Sequence, residues 1–200
     1  MKKKLISVFL LFACTSIFAQ EKFFGPRVGL ISPKDAENGL KFGFNYGKFV
    51  DNKIDFFTSF DFYLKKDENK KLISQNLSEI ESKNTMIYIP FLLNLKMKFP
   101  IDNVKLDPYL LGGLGGSVLF VDIYEKAREI DEFTTYYGFN MQIGAGGEFQ
   151  FGDRSKLYFE TYYLSGKMSG GEETLTNNVK MVKEINMGGI GFRMGLIFNI

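Results

Sequence analysis

The chain has 200 residues, 25 basic against 23 acidic side chains, one cysteine and no histidine. That balance excludes a polybasic nucleic-acid binder. The missing histidine excludes His-based triads and the usual histidine metal sites, and a lone cysteine excludes a disulfide framework.

Met1-Lys2-Lys3-Lys4 is a basic n-region, and Leu5 to Ala19 is an apolar h-region ending at an expected cleavage point, Ala19-Gln20. Residues 1–19 therefore read as a secretory signal peptide and residues 20–200 as one domain. The segment is short for a membrane anchor. Leu11-Phe12-Ala13-Cys14 offers a second reading, a lipoprotein box with Cys14 lipidated, in which Phe12 fits poorly. Cleavage after Ala19 removes Lys2, Lys3 and Lys4 and no acid, leaving 22 basic against 23 acidic groups, a net charge of −1 and no cysteine.

No later stretch reaches the roughly 18 consecutive apolar residues of a membrane helix, so any crossing is made by strands. Eight strands are expected. The first, Phe23 to Ser32, sets Val28 and Leu30 against Arg27 and Gly29, with Pro26 inside it. The second alternates Leu40, Phe42, Phe44, Tyr46 with Lys41, Gly43, Asn45, Gly47. After a tight turn at Asp51-Asn52-Lys53, the third runs Ile54, Phe56, Thr58, Phe60, Phe62, Leu64 against Asp55, Phe57, Ser59, Asp61, Tyr63, Lys65. The fourth places Ile87, Ile89, Phe91, Leu93, Leu95, Met97 and Phe99 opposite Tyr88, Pro90, Leu92, Asn94, Lys96 and Lys98. The fifth, about Leu106 to Phe120, is glycine-rich; Leu110, Leu114, Val118 and Phe120 are read as outward. The sixth sets Phe139, Met141, Ile143, Ala145, Phe149 and Phe151 against Gly138, Asn140, Gln142, Gly144, Gly146, Glu148 and Gln150. The seventh, Lys156 to Leu164, puts Tyr158, Glu160 and Tyr162 on its polar side. The eighth, Gly189 to Ile200, has large apolar residues at every even position and runs to the last residue, as suits a barrel closed by its terminal strand.

Connection lengths carry an independent pattern. Those around Asp51-Lys53, Pro100-Asn103 and Gly152-Ser155 are short. Lys66-Asn84, Asp122-Thr134 and Ser165-Glu184 read as long polar loops, and Pro33-Asn38 as intermediate. Short periplasmic turns, long external loops and an even strand number describe a transmembrane β-barrel, all-β, eight-stranded, antiparallel and up-and-down, with both termini periplasmic. A soluble lipocalin-like barrel would turn its apolar face inward. Its outer face would then need Lys, Glu and Thr, whereas the polar face here holds Gly43, Gly47, Gly138, Gly144, Gly146, Gly191 and Gly195. Small residues suit a crowded eight-stranded interior.

Charges of both signs fall on that inward face: Arg27, Asp55, Asp61, Glu148, Glu160 and Arg193, joined by Lys41 and Lys96. Buried charges must be paired, so a salt-bridge network plugging the lumen is expected, with Arg193–Glu160 as its first pair. A proton or ion pathway is the functional alternative. Gly112-Gly113-Leu114-Gly115-Gly116 lacks the Lys-Ser/Thr of a phosphate loop. No motif assembles a catalytic, cofactor or metal site, so an enzyme is not expected. Among loop residues, Tyr124, Arg128 and Phe133 are the expected partner contacts, set against a solvated loop that leads into an aromatic belt.

Tyr88-Ile89-Pro90-Phe91-Leu92-Leu93-Asn94-Leu95-Lys96 resembles the I-P-L-L-L-K strand of small outer-membrane barrels common in Bacteroidetes, the PorT-like group. Pro108-Tyr109-Leu110-Leu111-Gly112-Gly113 resembles the K-P-Y-x-x-x-G strand that follows, except that Asp107 stands where a lysine is often seen. Phe139 to Phe151 and the signal ending Phe18-Ala19-Gln20 are also similar to that group. The resemblance implies an OmpA/OmpX-like wall in outer-membrane lipid and, for some members, similarity to secretion-system components; it implies no catalytic or binding residue. The expected function is a non-enzymatic structural or interaction barrel, monomeric or in a small complex, accessory to envelope or secretion machinery. The alternatives are a small-solute transport barrel and, third, the soluble ligand-binding barrel.

Overall fold

A computed structural model describes the backbone of residues 21–74, 77–102, 104–125, 130–152, 154–174 and 180–200, and side chains outside 68–81, 125–131 and 171–183. The signal peptide read in residues 1–19, with Cys14, lies outside the described residues. The elements are β1 Lys22–Pro33, β2 Gly39–Phe49, β3 Ile54–Ser74, β4 Leu77–Lys98, β5 Leu106–Glu125, β6 Ile130–Gly152, β7 Ser155–Thr174, β8 Lys180–Asn186 and β9 Gly189–Asn199.

Strands β1 to β7 each pair antiparallel with the next, and β9 pairs with both β7 and β1, so the sheet closes. β8 also pairs with β7, higher up. β8 and β9 are thus two halves of one wall position, and the barrel has eight positions. The break falls at Met187-Gly188. Its backbone groups find partners: Met187 N–H donates to Gly166 O at 2.8 Å, and Gly188 O accepts from Lys34 N–H at 2.9 Å. Met187 points inward and is fully buried.

Closure fixes the geometry. The register runs Phe23, Gly47, Phe57, Asn94, Gly113, Gln142, Leu164, Gly189 and back to β1 at Pro33, ten residues beyond its start. A stagger of that size tilts eight strands by roughly 40° from the barrel axis.

Side chains alternate as the period-2 pattern requires. On β1 every second residue from Phe23 is buried, and Phe24, Val28 and Leu30 face out. Phe42, Phe91, Met141, Ile143 and Phe192 are likewise exposed, and Leu110 and Leu114 of the glycine-rich β5 are outward. The apolar face is therefore the outer face. This overturns the lipocalin alternative, which needs those residues inside.

The three long connections are the main difference from expectation. They are mostly strand: β3 and β4 run on to Ser74 and Leu77, β5 and β6 to Glu125 and Ile130, β7 and β8 to Thr174 and Lys180. In sequence these extensions carry polar residues at odd and even positions alike, so the apolar-polar contrast that marks a strand is missing while the paired ladder continues. At 20 to 23 residues each, β3 to β7 are about twice the roughly 9–11 residues that a crossing needs.

Candidate functional site

The interior is the candidate site, and it is filled. Toward the short-turn end, Phe23, Phe57, Tyr109, Leu111, Tyr158 and Ile197 pack together. Toward the long hairpins a larger apolar cluster includes Tyr63, Tyr88, Leu119, Leu164, Met168 and Met187. Two ionic layers accompany them.

The middle layer centres on Asp61 of β3. Its carboxylate accepts from Arg27 Nε at 2.7 Å and meets Lys41 Nζ at 2.8 Å and Arg193 Nη1 at 3.9 Å. Strand parity brings these groups together, since each occupies an inward position on β1, β2, β3 or β9. Gly43 makes room: a Cβ there would run into Asp61 Oδ1 and the Phe60 carbonyl. Arg193 and Glu160 are directly opposite in register on β9 and β7, and their side chains meet as an ion pair. Glu160 also accepts from Tyr109 O–H at 2.9 Å. Arg27 Nη1 donates to Asn45 Oδ1 at 2.7 Å, and the Asn45 amide donates to Tyr158 Oη at 2.9 Å.

The second layer lies at the short-turn end. Lys96 pairs with Glu148 across the lumen and lies 3.8 Å from Asp55; Lys98 reaches Asp55 at 2.7 Å, and Lys156 reaches Glu148 at 3.4 Å. The Lys96 ammonium also sits over the rings of Tyr109, Phe57 and Tyr158 at 4.6, 5.4 and 5.4 Å from their centroids. Such contacts partly replace lost hydration.

Thus the six inward charges read from the sequence fall into two groups, with Arg27, Asp61, Glu160 and Arg193 in one and Asp55 and Glu148 in the other. Lys98 and Lys156 were missed as members, as were Asn45 and Tyr158. Lys98 and Asn45 were already on inward faces; what parity alone could not supply was which charges meet across the lumen. Six cations face four carboxylates, so these layers carry a net excess of two positive charges. Beneath the lower layer an open cavity of about 590 Å³ is lined by Phe49, Lys98, Asp107 and Lys156, among others. Tyr124 and Phe133 of the β5–β6 hairpin are outward and exposed, Phe133 stacking on Phe120 at 6.1 Å. Arg128 lies outside the described residues.

A closed wall that is apolar outside and charged within is a membrane architecture, and the family comparison agrees. The model of the outer membrane protein beta-barrel domain matches residues 5–196. The chain belongs to that family. Solved outer-membrane barrels share its architecture. Neisserial surface protein A superposes with a TM-score of 0.59 at 13% identity, covering 90% of this chain and 97% of that one. OprG from Pseudomonas aeruginosa gives 0.58 at 12%, covering 91% and 96%. The attachment invasion locus protein Ail of Yersinia pestis, solved with the heparin analogue sucrose octasulfate, gives 0.54 at 14%, covering 90% and 99%. At these identities the likeness concerns the fold alone. No curated protein matches the sequence. The chain is an integral outer-membrane barrel, and membership of this family supports a protein that is not an enzyme. Among the described residues no cluster of three His, Cys, Asp or Glu could hold a metal ion.

Proposed function

We propose that this outer-membrane barrel is a closed structural or interaction protein that passes no solutes. The observation that carries the reading is the occupied lumen, in which Tyr63, Tyr88, Leu119, Leu164 and Met168 are 0% exposed above the two ionic layers. Eight strands leave room for little more than side chains. The charge network acts as a plug: each buried carboxylate has a cation in contact, which is the condition for tolerating it.

The outward apolar face sits in outer-membrane lipid. After export on residues 1–19 both termini lie in the periplasm beside the short turns, and the long hairpins project outward. Partner contacts then fall on the hairpins, with Tyr124, Arg128 and Phe133 as first choices. The resemblance of the Tyr88–Lys96 and Pro108–Gly113 strands to the PorT-like group favours an accessory of envelope or secretion machinery. Two measurements test this. In a liposome-swelling assay, the purified barrel is expected to leave small-sugar uptake at the protein-free level; rapid size-dependent uptake refutes closure and restores the transport reading. Gentle extraction of tagged protein followed by native mass is expected to reveal a stoichiometric envelope companion, whereas a bare monomer refutes the accessory role.

A further inference from the structure

The outward apolar belt is not of even height. Its runs are Phe24–Leu30 on β1, Leu40–Tyr46 on β2 and Leu157–Tyr163 on β7, against Ile87–Phe99 on β4, Pro108–Phe120 on β5 and Tyr137–Phe151 on β6. β3 (Ile54–Leu64) and β9 (Ile190–Phe198, continued by the exposed Ile200 just past its end, as Phe99 continues β4) are intermediate. At about 3.3 Å per residue and roughly 40° of tilt, the β1, β2 and β7 runs stand about 15 Å tall along the axis. Those on β4 to β6 stand about 30–35 Å tall.

Tilting the barrel cannot even this out. Tilt moves both rims of one side in the same direction. With the ten-residue stagger, the centres of all eight runs span about 8 Å along the axis, against a height difference of about 15–20 Å. The difference is one of thickness.

Two further features mark the boundary. Between β6 and β7 the belt steps down within one strand spacing: Tyr137, Phe139 and Met141, all more than half exposed, are directly opposite Ser169, Lys167 and Ser165. A bilayer tall enough to cover Phe139 evenly would draw Lys167 into hydrocarbon, where charge is costly. On the low side the regular wall also stops early. β1 ends at Pro33 and β2 begins at Gly39, and the exposed Lys34, Asp35, Glu37 and Asn38 form the turn. The β8–β9 break at Met187-Gly188 lies at the same level, tied to that turn. Irregular backbone is not tolerated facing lipid, so this level belongs to the headgroups or water. At that height on β5, Val118 continues an unbroken ladder.

We propose that the belt is a wedge, and that the barrel holds the outer membrane thinner along β7, β9, β1 and β2 than along β4 to β6. Mismatch of this kind draws lipid toward the protein's own apolar height. The bilayer beside the thin side is the partner surface, its acyl chains shortened to match the barrel's own apolar height. The proposal rests on the reading that the barrel spans the membrane.

The test uses nitroxide labels on single cysteines in a Cys14→Ala background, with the full barrel in phosphatidylcholine vesicles. Gly116→Cys on β5 and Ser165→Cys on β7 are at about one height by the stagger, as are Val118→Cys and Ser32→Cys. Leu114→Cys and Phe192→Cys sit at mid-belt. Accessibility to oxygen and to a water-soluble nickel chelate is measured at each. The expected result is lipid-like behaviour at 116 and 118 and at least tenfold greater nickel accessibility at 165 and 32. Equal shielding on the two sides, or equal exposure, overturns the wedge. Water exposure at 114 and 192 would instead overturn the spanning reading beneath it.

Discussion

The middle ionic layer makes a quantitative prediction through Asp61. Two cations contact its carboxylate at 2.7 and 2.8 Å, and all three side chains are under 5% exposed. At an effective dielectric near 20, each contact is worth about 6 kcal/mol of Coulomb attraction, opposed by several kcal/mol of desolvation per ion. Asp61→Asn keeps the size and one acceptor oxygen for Arg27 but takes the counter-charge from both Arg27 and Lys41, leaving Lys41 without a carboxylate partner among the described residues. The expected loss is about 3–5 kcal/mol of folding stability, the range for breaking one partner of a buried pair. Adding Lys41→Met removes one of the two stranded charges and leaves Arg27 its amide acceptor, so the double variant should lie within about 2 kcal/mol of the parent, and the two changes should couple strongly. The chain has no tryptophan, so folding is read from the gel mobility of unheated samples across a urea series in detergent micelles. A loss below about 1 kcal/mol for Asp61→Asn, or a double variant that loses the sum of the singles, would refute the pairing logic.

Other changes separate lumen, wall and belt. Gly43→Ala pushes a methyl group into Asp61 and the Phe60 carbonyl and should cost about 1–3 kcal/mol, whereas Gly112→Ala, with nothing within 4 Å, should leave the same urea midpoint unchanged. Phe44→Arg on the lipid face should cost about 2–4 kcal/mol in vesicles, while Phe133→Arg, above the belt, should cost under about 1. Clearing both ends of the filling, with Tyr88→Ala and Tyr162→Ala above and Tyr109→Ala and Tyr158→Ala below, should create a leak that prefers anions, because the ionic layers left behind hold two more cations than carboxylates; reversal potentials in a salt gradient check the sign.

Strand parity was legible because it needs only a period of two. Along Ile87 to Phe99 the sequence divides every residue between lipid and lumen, and Arg193 and Glu160 fall on adjacent inward faces without knowledge of register. The hairpin extensions were not legible. Lys66-Asp67 and Ser165-Gly166-Lys167 put polar residues or glycine on both faces, so they carry no apolar-polar contrast and look like loops. Cross-lumen partners were also hidden. Lys96 meets Glu148 from two strands away, a pairing set by the stagger, which no single strand encodes. The interruption at Met187-Gly188 is marked locally only by the Gly188-Gly189 pair, and its place in the wall depends on hydrogen bonds from the β1–β2 turn.

The central claim is a barrel closed by its own side chains, and planar-bilayer recording of protein extracted from its own outer membrane tests it most directly. The account predicts a quiet membrane, with no stable conductance steps at moderate voltage, and steps only after the filling is cut at both ends. Stable, large steps from the unaltered protein would contradict it and make the ionic layers the lining of a path.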